Sequence, residues 1–219
     1  MSDQRIESHG FNVGRWHFPP FSVGPGECLT LFFPREAIAD RDHIVACLSG
    51  ADAATGLSLC GKVAQGRYAM SASGWRNWFH NPSTLDWLKS NSTLSGDAAR
   101  SFLAAHRIDW RIPLNRYGGT PRMLLGLAAA FSRKPDAMVF STEGLDPLGI
   151  RDVFRVVSEH LAETSAVYLS WPVECQGQES HASFPGSLGV TVIDDLERVD
   201  RGSKRAVLGG LTGIHGGAM

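Results

Sequence analysis

Short apolar runs alternate with longer amphipathic stretches along this chain. Bulk alternates through residues 11–18, Pro19-Pro20 interrupts it, and Phe21-Ser22-Val23 resumes it. After the turn Gly24-Pro25-Gly26-Glu27, the run at 28–33 predicts a buried strand. Residues 44–50 predict an apolar helix that stops at Gly50. Leu57-Ser58-Leu59 with Gly61-Lys62 predicts a short hairpin piece, and Tyr68-Ala69-Met70 a further strand. Residues 74–112 then read as mostly helical, with one helix starting at Pro82-Ser83-Thr84 and a second over 97–106. The spacing of Leu124, Leu125, Leu127, Ala128 and Ala130 predicts a strong helix over 120–133. Residues 137–140 predict a buried strand, 150–161 an amphipathic helix, 166–170 a buried strand and 189–194 an alternating strand. Strands alternating with helices imply an α/β sheet with helices on its faces, interrupted by a helical block.

Composition narrows this pattern without changing it. A chain of 219 residues with 43% hydrophobic and 20% charged residues can bury a sizeable core. The sequence reads as a single domain over 1–219. Its core lies at about 11–73 and 123–208, its helical subdomain at about 74–122, and a glycine-rich loose tail at about 209–219. A net charge of −1 argues against nucleic acid as a partner. No run approaches the ~18 apolar residues of a membrane span. Residues 1–9 are polar and do not read as a signal peptide. Cys28, Cys47, Cys60 and Cys175 form no C-x-x-C pair, and the scattered histidines form no H-E-x-x-H. We therefore expect buried free thiols of a cytoplasmic protein and no metal site.

From residue 114 onward the order of parts becomes recognisable. Tyr117-Gly118-Gly119-Thr120-Pro121 opens the strong helix, followed by Pro135-Asp136, an apolar strand, and Gly144-Leu145-Asp146-Pro147 before the next helix. Upstream, Pro25-Gly26-Glu27 precedes the first core strand, and Leu48-Ser49-Gly50 closes the first helix. This collinear set, over roughly residues 20–195, resembles the ATP-binding-cassette (ABC) ATPase domain. The resemblance implies a P-loop NTPase-like core sheet flanked by helices, an antiparallel β part and a helical subdomain. It also implies a protein peripheral at the inner face of the cell membrane, docked on a permease subunit. There it would pair with an ABC ATPase homologue as a hetero- or homodimer.

The chemistry of that family is largely missing. A phosphate-binding loop needs glycines and a Lys between the first strand and helix, so that backbone N–H groups can cradle phosphates. Here the connection over 34–43 has neither, and Asp40, Arg41 and Asp42 fall at the Gly-Lys-Ser/Thr positions. Two like charges about 4 Å apart repel by about 4 kcal/mol at an effective dielectric of about 20. Arg41 is therefore expected to pair with Asp40 and Asp42 rather than with phosphate. Ser141 stands where the family's Mg²⁺-ordering Asp would be, and Glu143 is read as part of a surface turn. Trp171-Pro172 replaces the switch histidine, His181 is read as a loop histidine, and the glutamine expected after Tyr68-Ala69-Met70 is missing from 71–73.

Gly118 and Gly119 survive best, with Pro121 suited to a first helical turn. Together with Thr120 and Asp146 they would act only in trans, on Mg-ATP held by a partner subunit. No catalytic residue and no cofactor of its own is assigned. The leading expectation is a catalytically inactive ABC ATPase-like subunit of a transporter, with Trp75, Trp78, Phe79 and Trp87 lining a permease groove or packing in a core. A structural or regulatory adaptor on the same fold is the alternative. A residual enzyme built on Glu143, His181 or Cys175 lacks any nucleophile–base pair at readable spacing.

Overall fold

A computed structural model of the chain describes residues 5–70, 82–175, 178–186, 190–192 and 194–195. The expected Trp75, Trp78 and Phe79 contacts, the 71–73 stretch and the 209–219 tail lie outside these residues.

The opening strands are β1 (Ile6–Ser8), β2 (Phe11–Val13), β3 (Trp16–Phe18), β4 (Phe21–Val23) and β5 (Cys28–Phe32). A 3₁₀ turn over Arg35–Asp40 leads into α1 (Arg41–Leu48), followed by β6 (Leu57–Leu59) and β7 (Val63–Gln65). Helices α2 (Thr84–Asn91), α3 (Gly96–Ala105) and α4 (Gly119–Phe131) come next. Then follow β8 (Ala137–Ser141), α5 (Pro147–His160), β9 (Ser165–Ser170), the hairpin β10 (Val173–Cys175) and β11 (Gln178–Ser180), β12 (Val190–Val192) and β13 (Asp194–Asp195).

The centre is a five-stranded sheet in the order β12-β5-β9-β8-β7, and every neighbouring pair is parallel. Strands covered on both faces should be apolar throughout. β5, β8 and β9 are mostly apolar, broken only by Thr30 and by serines at strand ends, and all six residues of β9 are buried. Two antiparallel sheets flank the centre, one ordered β4-β1-β6 and one β13-β3-β2. The apolar interior falls into two clusters. One gathers α4, α5 and the sheet together with Leu85, Leu88 and Leu103 from α2 and α3. The other fills the space between the antiparallel strands, α1 and the opposite sheet face. Trp87 is half-buried, packs against the first cluster and donates its Nε1–H to the Met70 carbonyl at 2.9 Å.

Local sequence explains the helix starts. Ser83, Ser95 and Asp146 each accept a backbone N–H two or three residues into the helix they precede, and Pro147 occupies the first turn of α5. Gly118 caps α4 without any side-chain bond. Among the described residues, no helix is long and apolar enough to cross a membrane.

Several expectations need correction. Tyr68, Ala69 and Met70 form no strand; the edge strand is Val63–Gln65, paired with β8. The 57–62 hairpin does not form either, because β6 pairs with β1 while β7 joins the parallel sheet. Between them the chain crosses at Gly61, where a Cβ would come within 2.4 Å of Asp136 Oδ2. Asp136 secures the crossing by accepting the Lys62 backbone N–H at 2.7 Å and pairing with Arg5 at 3.2 Å. Cys28 and Cys47 are buried free thiols as expected, but Cys60 is exposed because it sits in this crossing.

His106, at the end of α3, packs tilted against Phe102 with ring centroids 4.4 Å apart, and its buried Nδ1 has no partner among the described residues. Burial, and then the charge of Arg155, pushes its imidazole below the ordinary 6.5. Above about pH 6.5 neither folded nor unfolded chain holds the proton, so the group contributes nothing. As pH falls through 6.5, the unfolded chain binds the proton first and stability declines until the lower folded value is reached. His106→Gln is expected to flatten this acid-side slope, read from urea midpoints at several pH values. An unchanged slope removes His106 as its cause.

Candidate functional site: a cleft beyond the strand ends

In open parallel sheets, ligands enter the crevice beyond the carboxyl ends of the strands. An open cleft of about 640 Å³ lies there. Its walls include Gln65 at the end of β7, Ser141 at the end of β8 and Trp171 just past β9, with Arg41, Asp42, Arg67, Tyr68 and Glu143 around them.

The loop from β5 to α1 shapes one side. It winds as a 3₁₀ turn with Ala37 buried beneath it. Glycine-rich phosphate loops use left-handed backbone to aim N–H groups inward. No residue over 34–43 has positive φ, so that concave arrangement does not form. Asp40 accepts the indole N–H of Trp16 at 2.7 Å. Arg41 opens α1 and reaches across the cleft, where its Nη1 donates to Glu143 Oε2 at 2.6 Å. Its Nε lies 3.5 Å from Asp42 Oδ1, and the Asp42 side chain is 97% exposed. The expected pairing of Arg41 within its own triplet forms with Asp42 and is corrected for Asp40. Asp40 is taken by Trp16, Asp42 is a peripheral contact, and the main partner is Glu143, 102 residues away.

Hydrogen bonding to Glu143 is the largest influence on Arg41 and raises its already high pKa, so the guanidinium stays charged. Both side chains are part-exposed, 40% for Arg41 and 32% for Glu143. Solvent screening limits the pair to about 0.5–1 kcal/mol of stability. Its structural effect is larger, because it ties the loop after β5 to the turn after β8.

That turn is itself fixed. Tyr68 donates its hydroxyl to the Glu143 carbonyl, and the Thr142 and Tyr168 hydroxyls meet at 2.7 Å beneath it. Burial, followed by the Glu143 charge, pushes the Tyr68 phenol up. Glu143 is therefore not a free turn residue. Trp171 stacks on Phe33 at 4.1 Å and is almost wholly buried, with its Nε1 lacking a partner among the described residues. His181 is brought back by the β10–β11 hairpin to 3.3 Å from Ser170 Oγ, with its ring edge-on to Phe32 at 5.0 Å. It does not line the cleft. Glu143 and His181 thus have separate partners; the Cys175 side chain lies outside the described residues.

Two cleft residues escaped the sequence reading. Gln65, the last residue of β7, stands at the end of the strand beside β8, so the edge strand does end in glutamine. It was missed because the strand was placed five residues too late. Tyr68 was assigned to that false strand. The signal available was the Val63-Ala64-Gln65 run directly after the Gly61 crossing.

The turn elements that carry the resemblance gather around the start of α4. A Cβ on Gly119 would meet Leu145 Cδ2 at 3.1 Å and the Gly144 carbonyl at 3.4 Å. Gly149 lies so close to Thr120 that a Cβ there would reach its Oγ1 at 2.0 Å. Gly118 is open, with nothing within 4 Å of a Cβ. Asp146 caps α5 by accepting the Gly149 N–H at 2.7 Å.

A parallel sheet with helices on its faces, a cleft beyond its strand ends and antiparallel side sheets define an ABC ATPase-like α/β fold. Comparison with solved structures bears this out in three cases. An inward-facing metal-chelate type ABC transporter superposes with TM-score 0.58 at 10% identity, over 83% of this chain and 84% of that one. An ATP-binding subunit of an ABC transporter gives TM-score 0.57 at 13% identity, over 81% and 89%. CbiO1 from Clostridium perfringens, part of the ABC transporter complex CbiONQ, gives 0.53 at 12%, over 92% of each. No family model matches the sequence, and no curated protein does.

Proposed function

We propose that this chain is a non-hydrolysing ABC ATPase-like subunit of a membrane transporter complex. The Arg41–Glu143 ion pair carries the reading. It spans the space between the loop after β5 and the turn after β8, where the resemblance places a nucleotide's phosphates and its metal. The residues there do not fit Mg-ATP. The loop offers no left-handed backbone, its Arg41 guanidinium is committed to a carboxylate, and Asp42 adds negative charge at the rim. Ser141 offers a hydroxyl where a carboxylate would hold the metal.

The partner-facing elements remain. The N-terminus of α4 at Gly118 has no side-chain cap, so its N–H groups are available to an anion. In this reading Gly118, Gly119 and Thr120 close on nucleotide held by an intact ABC ATPase, and Asp146 shapes the adjoining turn. The 74–122 subdomain docks on a permease at the inner face of the membrane. The solved neighbours, two of them named as parts of transporters and one as an ATP-binding subunit, support this choice.

Affinity capture of the full chain from detergent-solubilised membranes of its source cells tests the proposal. The expected companions are a multi-span membrane protein and an ABC ATPase with intact phosphate-binding motifs. Recovery with soluble proteins alone overturns the transporter reading in favour of an adaptor.

A further inference from the structure

His43 and Cys47 lie four residues apart on α1, which stacks them on one stripe of the helix. The helix ends at Leu48, and the chain reverses at Gly50, whose φ is +77°. A Cβ at Gly50 would also approach Leu59 Cδ1 to 2.9 Å, so the reversal depends on glycine twice over. Three backbone hydrogen bonds close it: Gly50 to Cys47 at 3.1 Å, and Ala51 and Asp52 to Ala46 at 2.9 and 3.1 Å. Asp52 is thereby returned beside the last helical turn. One ligand atom each from His43, Cys47 and Asp52 then lies within 4.8 Å of the other two.

Tetrahedral zinc, with Zn–N near 2.0–2.1 Å and Zn–S near 2.3 Å, brings its ligand atoms to about 3.5 Å from one another. His43 and Asp52 are exposed and can close that gap by small side-chain rotations, whereas Cys47 is buried and fixed. Imidazole, thiolate and carboxylate together select a borderline-soft cation over magnesium or calcium. None of the three residues lines the cleft. We propose that His43, Cys47 and Asp52 form a three-ligand site for a divalent transition-metal ion, zinc first among them, with a fourth position open to water. The absence of H-E-x-x-H and C-x-x-C led the sequence reading to expect no metal site. The third ligand here is supplied by a chain reversal, which such motifs do not encode.

The test uses full-length chain stripped with EDTA and carrying Cys60→Ser to remove the exposed thiol. One equivalent of Co²⁺ is expected to produce a thiolate-to-cobalt charge-transfer band, which Zn²⁺ abolishes. Adding Cys47→Ser is expected to remove the band, with the metal-free circular dichroism spectrum unchanged. No band in the parent, or a band that persists without Cys47, overturns the site. Should Cys47→Ser fail to fold, the exposed pair His43→Ala and Asp52→Asn carries the test. Loss of zinc binding in that double variant supports the proposal, and unchanged zinc affinity overturns it.

Discussion

Titration of the purified chain with Mg²⁺ and ATP is expected to release no binding heat and to leave its thermal unfolding midpoint unmoved. The contrast with a binding protein is wide. A ligand at about 1,000 times its dissociation constant adds about 4.1 kcal/mol of stability. Each kcal/mol shifts the midpoint of a chain of this size by about 2–4 °C. A nucleotide-binding chain would therefore gain roughly 8–16 °C. Three features support the expectation of no binding. The 34–43 connection has no positive-φ residue to turn N–H groups toward phosphate. Arg41 already donates to Glu143 at 2.6 Å, so phosphate would have to displace a carboxylate. Asp42 then opposes any incoming anion. Releasing Arg41 by Glu143→Gln removes only the second of these, so that variant is also expected not to bind. Micromolar affinity in the parent would sink the phosphate-excluding account of the loop.

Gly126→Ala in α4 is expected to destabilise the protein by about 2–3 kcal/mol, the usual range for forcing extra atoms into packed structure. Helix propensity alone predicts the opposite, since alanine is better than glycine by about 1 kcal/mol in a helix interior. Packing decides the sign. A Cβ at Gly126 would lie 1.6 Å from the Arg67 carbonyl oxygen and 2.8 Å from its carbon. Both are backbone atoms, so no rotamer relieves the overlap. The segment cannot easily withdraw either. Gly66 donates to Val139 at 2.8 Å, Ala69 donates to Arg122 at 2.8 Å, and Arg122 Nε returns a bond to Ala69 at 2.9 Å. A midpoint lowered by roughly 4–12 °C is expected in thermal unfolding. Unchanged or increased stability would show that helix propensity outweighs this close approach.

The sheet strands at 28–32, 137–141 and 165–170 were legible because an all-buried strand needs an unbroken apolar run. The amphipathic spacing of α4 and α5 was legible for the equivalent helical reason. Val63–Gln65 was not, because a three-residue edge strand carries too little pattern to outcompete the bulkier Tyr68-Ala69-Met70. The Walker-like positions could be assigned by counting, but their partners could not. Arg41 was assigned to its sequence neighbours on proximity alone. Its main partner came from a turn 102 residues away that only the parallel pairing of β5, β9 and β8 brings near. Likewise, the sequence placed His181 in a loop, which it is, without showing that a hairpin returns it to the end of β9.

The order of the central sheet also bears on how the chain is made. β5 is the first of its five strands to be synthesised, yet it lies inside, between β12 and β9. Its nearer partner in sequence begins at Ser165, and its other at Val190. At about 5–20 residues per second, roughly 7–27 s pass between completing β5 and starting β9. During that interval a nearly all-apolar strand has no neighbour on either edge. Both edges of β5 therefore stay unpaired in this sheet until residues in the last quarter of the 219 are made.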